Sequence, residues 1–201
     1  PQYSDLKPGD LKGVRVGIPK EYKSEFLNSE IQGAWEKTAK ICEELGAIVK
    51  EISLPHTSYA APTYYILNTA EASSNLARFD GVRYGLRVCD PGDSLDEMYA
   101  KTRGAGFGSE VKARIALGTY VLSSGYYDAY YKKAQQVRRL ISQDFKHAFA
   151  DVDVILTPTT PKYAYKFDAE FSEIETYLND AFTVSANIAG IPALSLPAGL
   201  T

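Results

Sequence analysis

Two charged residues in apolar surroundings, Arg114 and Asp180, are placed where they could do chemistry. Arg114 lies within EVKARIALG (110–118), and Asp180 lies within TYLNDAFTVSANIAG (176–190). An unpaired charge is costly in an apolar environment, so each residue needs a partner. They can pair with each other or with backbone. Alternatively, each can bind one end of a zwitterion, because a guanidinium grips a carboxylate with two hydrogen bonds and a carboxylate binds an ammonium. The residues alone leave both interpretations open.

Other catalytic patterns have little support in this sequence. His56 follows a proline that ends a predicted strand, and His147 lies among charges on a predicted helix, so both are interpreted as structural or solvated. Ser123-Ser124-Gly125 is typical of a helix end that enters a bend, and no G-x-S-x-G elbow is present. Cys42 and Cys89 are isolated, and they form neither a metal-ligand pattern nor a disulfide framework. The sequence therefore predicts no catalytic residue and no metal site.

Three glycines, Gly104, Gly106 and Gly108, precede a predicted helix and raise the question of a phosphate-binding loop. The specific form of that motif needs a preceding strand, with a lysine and a serine or threonine at fixed offsets. Here a helix candidate, residues 94–103, precedes the glycines instead. We interpret them as a flexible or closely packed bend into the helix that carries Arg114.

A cluster of basic residues raises the question of contact with RNA. Its members are Lys132, Lys133, Arg138 and Arg139. The formal net charge of −3 argues against a surface dedicated to nucleic acid over the whole chain. The cluster is therefore interpreted as a solvated helix face.

The elements that must position these residues follow an α/β pattern. Residues 13–20 form an apolar run closed by a proline, and residues 47–55 form a second one, so both predict strands. Between them lies a predicted helix that Asn28 or Ser29 caps and Gly46 ends. This arrangement predicts a βαβ unit with parallel strands. Two further strands are predicted at 152–159 and 192–199, and a loop at 162–175.

Helices are predicted at residues 58–79, 94–103, 110–117, 128–152 and 176–190. In the fourth of these, one apolar face is lined by Tyr130, Ala134, Val137, Ile141, Phe145 and Ala148. Gly118 and Gly125 indicate close packing and a turn. The sequence assigns no role to Tyr126, Tyr127 or Tyr131.

Bulk composition fits one sizeable globular core. The chain has 201 residues, of which 45% are hydrophobic and 23% are charged. It has no apolar run long enough to span a membrane and no signal-peptide pattern at its start, so we expect a cytoplasmic or organelle-matrix location. The first residue is Pro1 rather than methionine, which indicates a piece of a longer protein.

Several stretches of the sequence resemble the amidase-signature family. They are GFGSEVKARIALGTYVLSSGYYDAYYKKAQQVR (106–138), DVILTPTTP (153–161), YLNDAFTVSANIAGIPALSLPAG (177–199), GVRVGIPKEY (13–22) and AEASSNLARFDGVRYG (70–85). Within the family, the chain is most similar to the A-subunit branch of the Glu-tRNA(Gln)/Asp-tRNA(Asn) amidotransferases. The resemblance covers essentially the whole chain.

The resemblance implies an α/β fold in which a mixed β-sheet is flanked by helices on both faces. It also implies a Lys–Ser–Ser catalytic triad in a Gly/Ser-rich region upstream, which this chain does not contain. Ser123 and Ser124 do not match that region. Residues 1–201 are therefore expected to be the C-terminal portion of a single amidase-signature domain, without its catalytic core and inactive alone.

The resemblance also implies a glutamine-binding role for individual residues. Arg114 matches the family's arginine for the substrate α-carboxylate, and Asp180 matches its aspartate for the α-ammonium. Tyr64 matches a tyrosine that lines the pocket, although Tyr65 is possible if the match shifts by one residue. No cofactor is implied for this segment.

The implied partners are glutamine and the other subunits of an amidotransferase. A kinase/transferase subunit is expected to bind ATP and Mg²⁺ and most of the tRNA, and a small subunit is expected to stabilise the assembly. Two alternatives remain, a stand-alone hydrolase of another amide and a non-catalytic scaffold fragment. A pocket for another amide would not need a clamp for both charges of a zwitterion, so Arg114 with Asp180 argues against the first.

Overall fold

A computed structural model describes residues 9–169 and 178–199 of the chain. The chain divides into two compact units, each described here by itself. The first consists of Pro1–Ala61 with Val137–Thr201, and the second consists of Pro62–Gln136. Two helices, Ala60–Leu76 and Lys132–Asp151, cross the boundaries between the units.

The first unit contains a parallel sheet in the order β2-β1-β3. Val16 at its centre is paired with Val49 on one side and with Val154 on the other. Parallel neighbours joined by a helix confirm the predicted βαβ unit and the α/β class. The strands are β1 (Arg15–Pro19), β2 (Ile48–Ile52) and β3 (Val154–Ile155).

Helix α1 (Ser29–Glu44) connects β1 to β2, and its cap is Asn28 rather than Ser29. The Asn28 Oδ1 accepts hydrogen bonds from the backbone N–H groups of Glu30 (2.8 Å) and Ile31 (3.3 Å). These contacts satisfy two amides that have no partner within the helix. Trp35 anchors the helix beside the sheet, because its buried indole donates to the Leu156 carbonyl oxygen at 3.0 Å.

The remaining helices agree with the predicted order. Ser94 begins α3 with a full capping box, in which its hydroxyl and the Glu97 carboxylate each accept from the other's backbone N–H. The helices are α2 (Ala60–Leu76), α3 (Leu95–Gly106), α4 (Ser109–Leu122), α5 (Lys132–Asp151) and α6 (Val184–Ala189), with 3₁₀ turns at Lys20–Tyr22 and Thr57–Tyr59 and a π-helical turn at Tyr127–Tyr131.

The prediction of a glycine bend before the Arg114 helix is correct for one glycine only. Gly104 and Gly106 lie inside helix α3, and the chain leaves helical geometry at Phe107 and Gly108. A helix tolerates glycine at a cost of about 1 kcal/mol per residue relative to alanine. The capping box and the packing of Met98 and Thr102, both 3–4% exposed, offset that cost.

The prediction of a strand at 192–199 is wrong for this chain. These residues carry no ladder pairing, and Leu194 and Leu196 are 83% and 73% exposed. A strand exists only through hydrogen bonds to a neighbour, and no described strand pairs with this segment. The neighbouring predicted strand, 152–159, is reduced to β3 for the same reason, since its pairing with β1 covers two residues.

Tyr130 does not lie on the core face predicted for the long helix, because 42% of its surface is exposed. The later members of that face, Ala134, Ile141, Phe145 and Ala148, are all buried, and Val137 is half-buried. The π-helical turn at Tyr127–Tyr131 explains the difference. A π turn contains an extra residue, so side chains within it, such as Tyr130, are rotated away from the stripe that follows.

Two predictions reach beyond the described residues. The predicted loop at 162–175 is irregular as far as residue 169, and its remainder lies outside the described part. In the predicted helix at 176–190, residues 178 and 179 are helical, a turn follows, and α6 (Val184–Ala189) completes the segment. Residues 176 and 177 lie outside the described part. The turn interrupts the predicted helix at Asp180, one of the candidate site residues.

Candidate functional site

Arg114 lies in the middle of α4 and is held by a residue one turn earlier. Its Nε donates to the Glu110 Oε1 at 2.7 Å, and 34% of the Arg114 side chain is exposed. The Glu110 carboxylate is the main cause that raises the pKa of Arg114, and a hydrogen bond with the Tyr64 hydroxyl adds to it. Arg114 is therefore a half-buried, permanently charged guanidinium with one edge fixed by Glu110.

Tyr64 reaches Arg114 from the neighbouring helix α2. Its ring packs edge-on against Tyr65, with centroids 5.3 Å apart and planes at 80°. Both tyrosines are half-buried. The Tyr64 hydroxyl is close enough to Arg114 to contribute to the raised pKa of its guanidinium. The structure thus brings together two of the three residues predicted to bind substrate.

A glycine contact sets the distance between the two helices that carry these residues. A Cβ added to Gly118 of α4 would lie 1.9 Å from the carbonyl oxygen of Thr69 on α2. It would also lie 2.8 Å from the Ser73 Cβ. Only a residue without a side chain permits this approach. The sequence left open which glycine packs closely and which one forms a turn. The structure shows close packing at Gly118 and a turn at Gly125, whose φ is +91°.

The tyrosines that follow pack mainly on one another. The rings of Tyr120, Tyr126 and Tyr130 lie 4.2–6.3 Å apart, and those of Tyr127 and Tyr131 are 5.2 Å apart. A hydrogen bond with Tyr126 is the main cause that raises the pKa of Tyr120 to about 12. Tyr120 therefore keeps its proton at neutral pH. The spacing leaves no gap between the rings of the trio for a ligand.

Asp180 belongs to the other unit, where it lies in the turn before α6 with its surface exposed. Its backbone carbonyl accepts from the N–H groups of Thr183 and Val184 at 3.1 and 3.0 Å. Phe182, two residues later, anchors the turn because it is buried against Tyr22. Pairing of Asp180 with Arg114 stays a prediction.

A cavity of about 390 Å³ lies beside this turn. Leu178 and Asn179, the residues that precede Asp180, form part of its wall. Its lining is mixed: a benzyl ring and two aliphatic side chains accompany a carboxylate, an ammonium and an amide, from Phe26, Pro161, Leu178, Glu25, Lys162 and Asn179.

Other candidate groups have structural roles. His56 donates its backbone N–H (2.8 Å) to the buried Asp144, and the ring Nδ1 is 2.9 Å from the same carboxylate. Ser123 donates to the Tyr120 carbonyl oxygen at the end of α4, as its interpretation as a helix end predicts. His147 is exposed on α5. Among residues 9–169 and 178–199, no group of three or more His, Cys, Asp and Glu side chains is arranged to hold a metal ion.

Comparison with known proteins assigns the chain to a family. A family model described as Amidase matches residues 1–201, the whole chain. The chain belongs to the amidase-signature family. Solved amidase-signature structures share its fold, including a bacterial aryl acylamidase that is 17% identical, covers 96% of this chain and 38% of its own, and gives a TM-score of 0.65.

Within the amidase-signature family, several relatives carry one name. The A subunit of glutamyl-tRNA(Gln) amidotransferase from Fusobacterium nucleatum is 58% identical over the whole chain, and its counterpart from Rhodospirillum rubrum is 56% identical. A structure of the protein of that name from Thermotoga maritima is 34% identical, covers 90% of this chain and 34% of its own, and gives a TM-score of 0.64. The chain spans about 41% of the Fusobacterium protein and 40% of the Rhodospirillum protein.

Glu110 was not among the predicted site residues. The signal was present, because Glu110 and Arg114 are four residues apart on a predicted helix, the spacing at which opposite charges meet. The expectation that no segment spans a membrane can be compared with the helices of the structure. Within the described residues, no helix combines the length and the apolar character needed to cross a bilayer.

Proposed function

We propose that the intact protein is the glutamine-hydrolysing component of an aminoacyl-tRNA amidotransferase and that residues 1–201 supply part of its glutamine-binding site. The observation that carries this proposal is 58% identity over the whole chain with the A subunit of a glutamyl-tRNA(Gln) amidotransferase. We propose that the Lys–Ser–Ser triad implied by the family resemblance lies in another part of the polypeptide. This segment then binds and orients substrate and does not attack it.

In the proposed site, Arg114 binds the α-carboxylate of glutamine. Glu110 occupies the Nε edge of the guanidinium. The two Nη nitrogens together carry four N–H donors, which suit a bidentate contact with a carboxylate as well as the hydroxyl of Tyr64. The proposed contact is consistent with the half-burial of Arg114, because a partly desolvated charge interacts more strongly than one in bulk water.

Asp180 is proposed to bind the α-ammonium group. An exposed carboxylate in a turn can accept the N–H donors of an ammonium at low cost, because it keeps its water until the substrate displaces it. Tyr64 is proposed to line the pocket, and its effect on the pKa of Arg114 supports a position beside the guanidinium. Together the two charges select a zwitterion.

The proposed reaction cleaves the side-chain amide of glutamine. A serine of the triad displaces ammonia and forms an acyl-enzyme, which water then hydrolyses to glutamate. The ammonia goes to a companion subunit, where it amidates the activated side-chain carboxylate of Glu-tRNA(Gln) or Asp-tRNA(Asn). ATP and Mg²⁺ are assigned to that companion subunit.

The experiment compares two nitrogen donors in the complete complex with the full-length protein. Changing Arg114→Ala removes a charge-assisted contact of about 2–3 kcal/mol. We expect this loss to raise KM for glutamine roughly 30- to 150-fold. Amidation with ammonia as donor should stay within about twofold of wild type, because ammonia does not use the pocket.

The matched control is Arg139→Ala, which removes an exposed arginine from α5 and should leave KM for glutamine unchanged. A normal KM in Arg114→Ala contradicts the assignment of Arg114. An equal loss of ammonia-dependent activity would show that the variant damages the fold or the catalytic centre.

A further inference from the structure

A surface loop between α2 and α3 exposes an unusual set of apolar side chains. Residues 78–87, here called the arginine–aromatic loop, expose Phe79, Val82, Tyr84 and Leu86 by 42%, 46%, 51% and 54%. Scattered exposed apolar residues are normal on protein surfaces, but a contiguous group indicates an interaction site. None of these residues belongs to the proposed glutamine site.

The arginine–aromatic loop is held in one shape by contacts with α2 and α3. Arg103 of α3 donates from Nη1 to the carbonyl oxygens of Leu76 (2.8 Å) and Phe79 (3.2 Å). Just beyond the loop, the Val88 N–H donates to the Thr102 hydroxyl at 3.0 Å. A surface ordered in advance loses little conformational entropy when a partner binds.

Further contacts within the loop keep its apolar groups in place. The rings of Phe79 and Tyr84 meet edge to face, with centroids 5.8 Å apart. Gly81, within the loop, packs tightly against α3, because a Cβ there would lie 2.9 Å from a Thr102 methyl carbon. Its φ of +77° also favours glycine. The loop therefore presents Phe79 and Tyr84 as a contacting pair of exposed rings.

The loop is also positively charged. Arg78, Arg83 and Arg87 are exposed, and none of them forms an ion pair with any residue in the described ranges 9–169 and 178–199. Arg78 donates to the Asn75 carbonyl oxygen, and Arg87 lies against the Met98 sulfur. The acids nearest in sequence are engaged elsewhere: the Asp80 Oδ1 accepts from the Val82 N–H, and Asp90 and Asp93 bind Lys101.

We propose that the arginine–aromatic loop docks a companion protein subunit through an apolar patch bordered by carboxylates. This inference rests on the proposed function, which makes the protein one subunit of a complex. Arginine, tyrosine and phenylalanine are enriched in protein interfaces, and tyrosine and arginine are also enriched among the residues that contribute most of the binding energy. Three arginines that form no ion pair within the described part of the chain are complementary to an acidic partner and would also guide its approach.

A polypeptide fits this loop better than a nucleic acid does. Val82 and Leu86 are aliphatic, so they gain free energy from apolar burial and offer no ring on which a base could stack. The loop also contains no lysine, and its arginines alternate with apolar side chains instead of forming a continuous basic track.

The test measures assembly of the full-length protein with the other amidotransferase subunits of the same organism. Arg83→Glu should weaken assembly at least about tenfold, because it replaces an attraction by a repulsion. Tyr84→Ala should weaken it by a similar factor. The matched control, Arg139→Glu, makes the same charge change on α5 and should stay within about twofold of wild type. High salt should reduce the difference between Arg83→Glu and wild type.

Hydrogen exchange at residues 78–87 completes the test. We expect the loop to exchange readily in the isolated full-length protein and to become protected in the complex. Protection already present in the isolated protein overturns the proposal in favour of contact with another part of the same polypeptide. Unchanged assembly by Arg83→Glu also overturns it, as does loss of tRNA binding by that variant while assembly is normal.

Glutamine hydrolysis by the same preparations separates the two proposals. If wild type assembles and hydrolyses glutamine but Arg83→Glu assembles equally well, the docking inference alone is wrong. If wild type neither assembles nor hydrolyses glutamine, the proposed function is wrong and the docking inference falls with it.

Discussion

Replacing Gly118 by alanine tests how closely helices α2 and α4 approach each other. The added Cβ would lie 1.9 Å from the Thr69 carbonyl oxygen and 2.5 Å from its carbonyl carbon. The first distance is about 1.5 Å shorter than ordinary van der Waals contact, which begins near 3.4 Å. Both atoms are backbone atoms, so no rotation of a side chain relieves the overlap. The two helices must separate.

The expected cost follows from two opposing effects. Alanine favours a helix over glycine by about 1 kcal/mol. Overpacking costs about 1–3 kcal/mol, and the upper end applies here because the overlap is with backbone. We therefore expect Gly118→Ala to lower the free energy of unfolding by about 2 kcal/mol or more. Because α2 carries Tyr64 and α4 carries Arg114, the same change should weaken their contact and raise KM for glutamine.

Urea unfolding of the full-length protein provides the assay, with Gly104→Ala as the matched control. Gly104 is also a helical glycine, but a Cβ there would meet nothing within 4 Å. Gly104→Ala should be neutral or stabilising by up to about 1 kcal/mol. Equal stability of the two variants would refute the close approach of α2 and α4, and with it our account of how Arg114 and Tyr64 are positioned.

Two further predictions concern the unit that contains the sheet. His56→Ala should lower the free energy of unfolding by about 1–3 kcal/mol, because the buried Asp144 carboxylate then keeps only the hydrogen bond from the backbone N–H of residue 56. His147→Ala changes an exposed position on the same helix as Asp144 and should lower it much less in the same urea experiment. Equal losses in the two variants would contradict this prediction. Hydrogen bonds from Arg15 lower the pKa of Asp153 to about 2. A lowered folded-state pKa stabilises the fold above the unfolded value of 3.8, and this contribution disappears as the pH falls through about 2. Asp153→Asn should therefore have a lower free energy of unfolding than wild type above about pH 4, and the two proteins should become equally stable near pH 2. If urea unfolding gives the same difference in stability at every pH, the charge of the Asp153 carboxylate is not responsible.

Much of the fold could be predicted because its signals are local. Asn28 and Ser94 have side chains that cap a helix within three residues, so their role depends on no distant contact. The apolar runs around β1 and β2 and the intervening helix specify a parallel pair. These features are recorded in short stretches of sequence, which pattern analysis can examine directly.

The predictions that were wrong depend on non-local or cumulative effects. The segment 192–199 has the composition of a strand, but pairing requires a neighbour that composition does not specify. Tyr130 has the right spacing for the core face of α5, but the π turn before that helix changes the phase. Gly104 and Gly106 suggest a break, yet the packing of the rest of α3 keeps them helical.

The candidate site shows a similar division. The apolar neighbours of Arg114 indicated that this residue needs a partner. The i, i+4 spacing between Glu110 and Arg114 was sufficient to predict that partner. The contact between Arg114 and Tyr64 depends on how α2 packs on α4, which no spacing within one helix specifies. The choice of glutamine as ligand came from the family resemblance, since charge pattern alone allowed an internal ion pair.

The most direct test of the central claim pairs a change in the protein with a change in the substrate. The full-length protein and its Arg114→Ala variant are compared for hydrolysis of glutamine and of γ-aminobutyramide, which is glutamine without its α-carboxylate. If Arg114 binds that carboxylate, wild type prefers glutamine in kcat/KM, and the variant loses roughly 30- to 150-fold of this preference. If the variant prefers glutamine as strongly as wild type does, Arg114 does not bind the α-carboxylate and the account of the site is wrong.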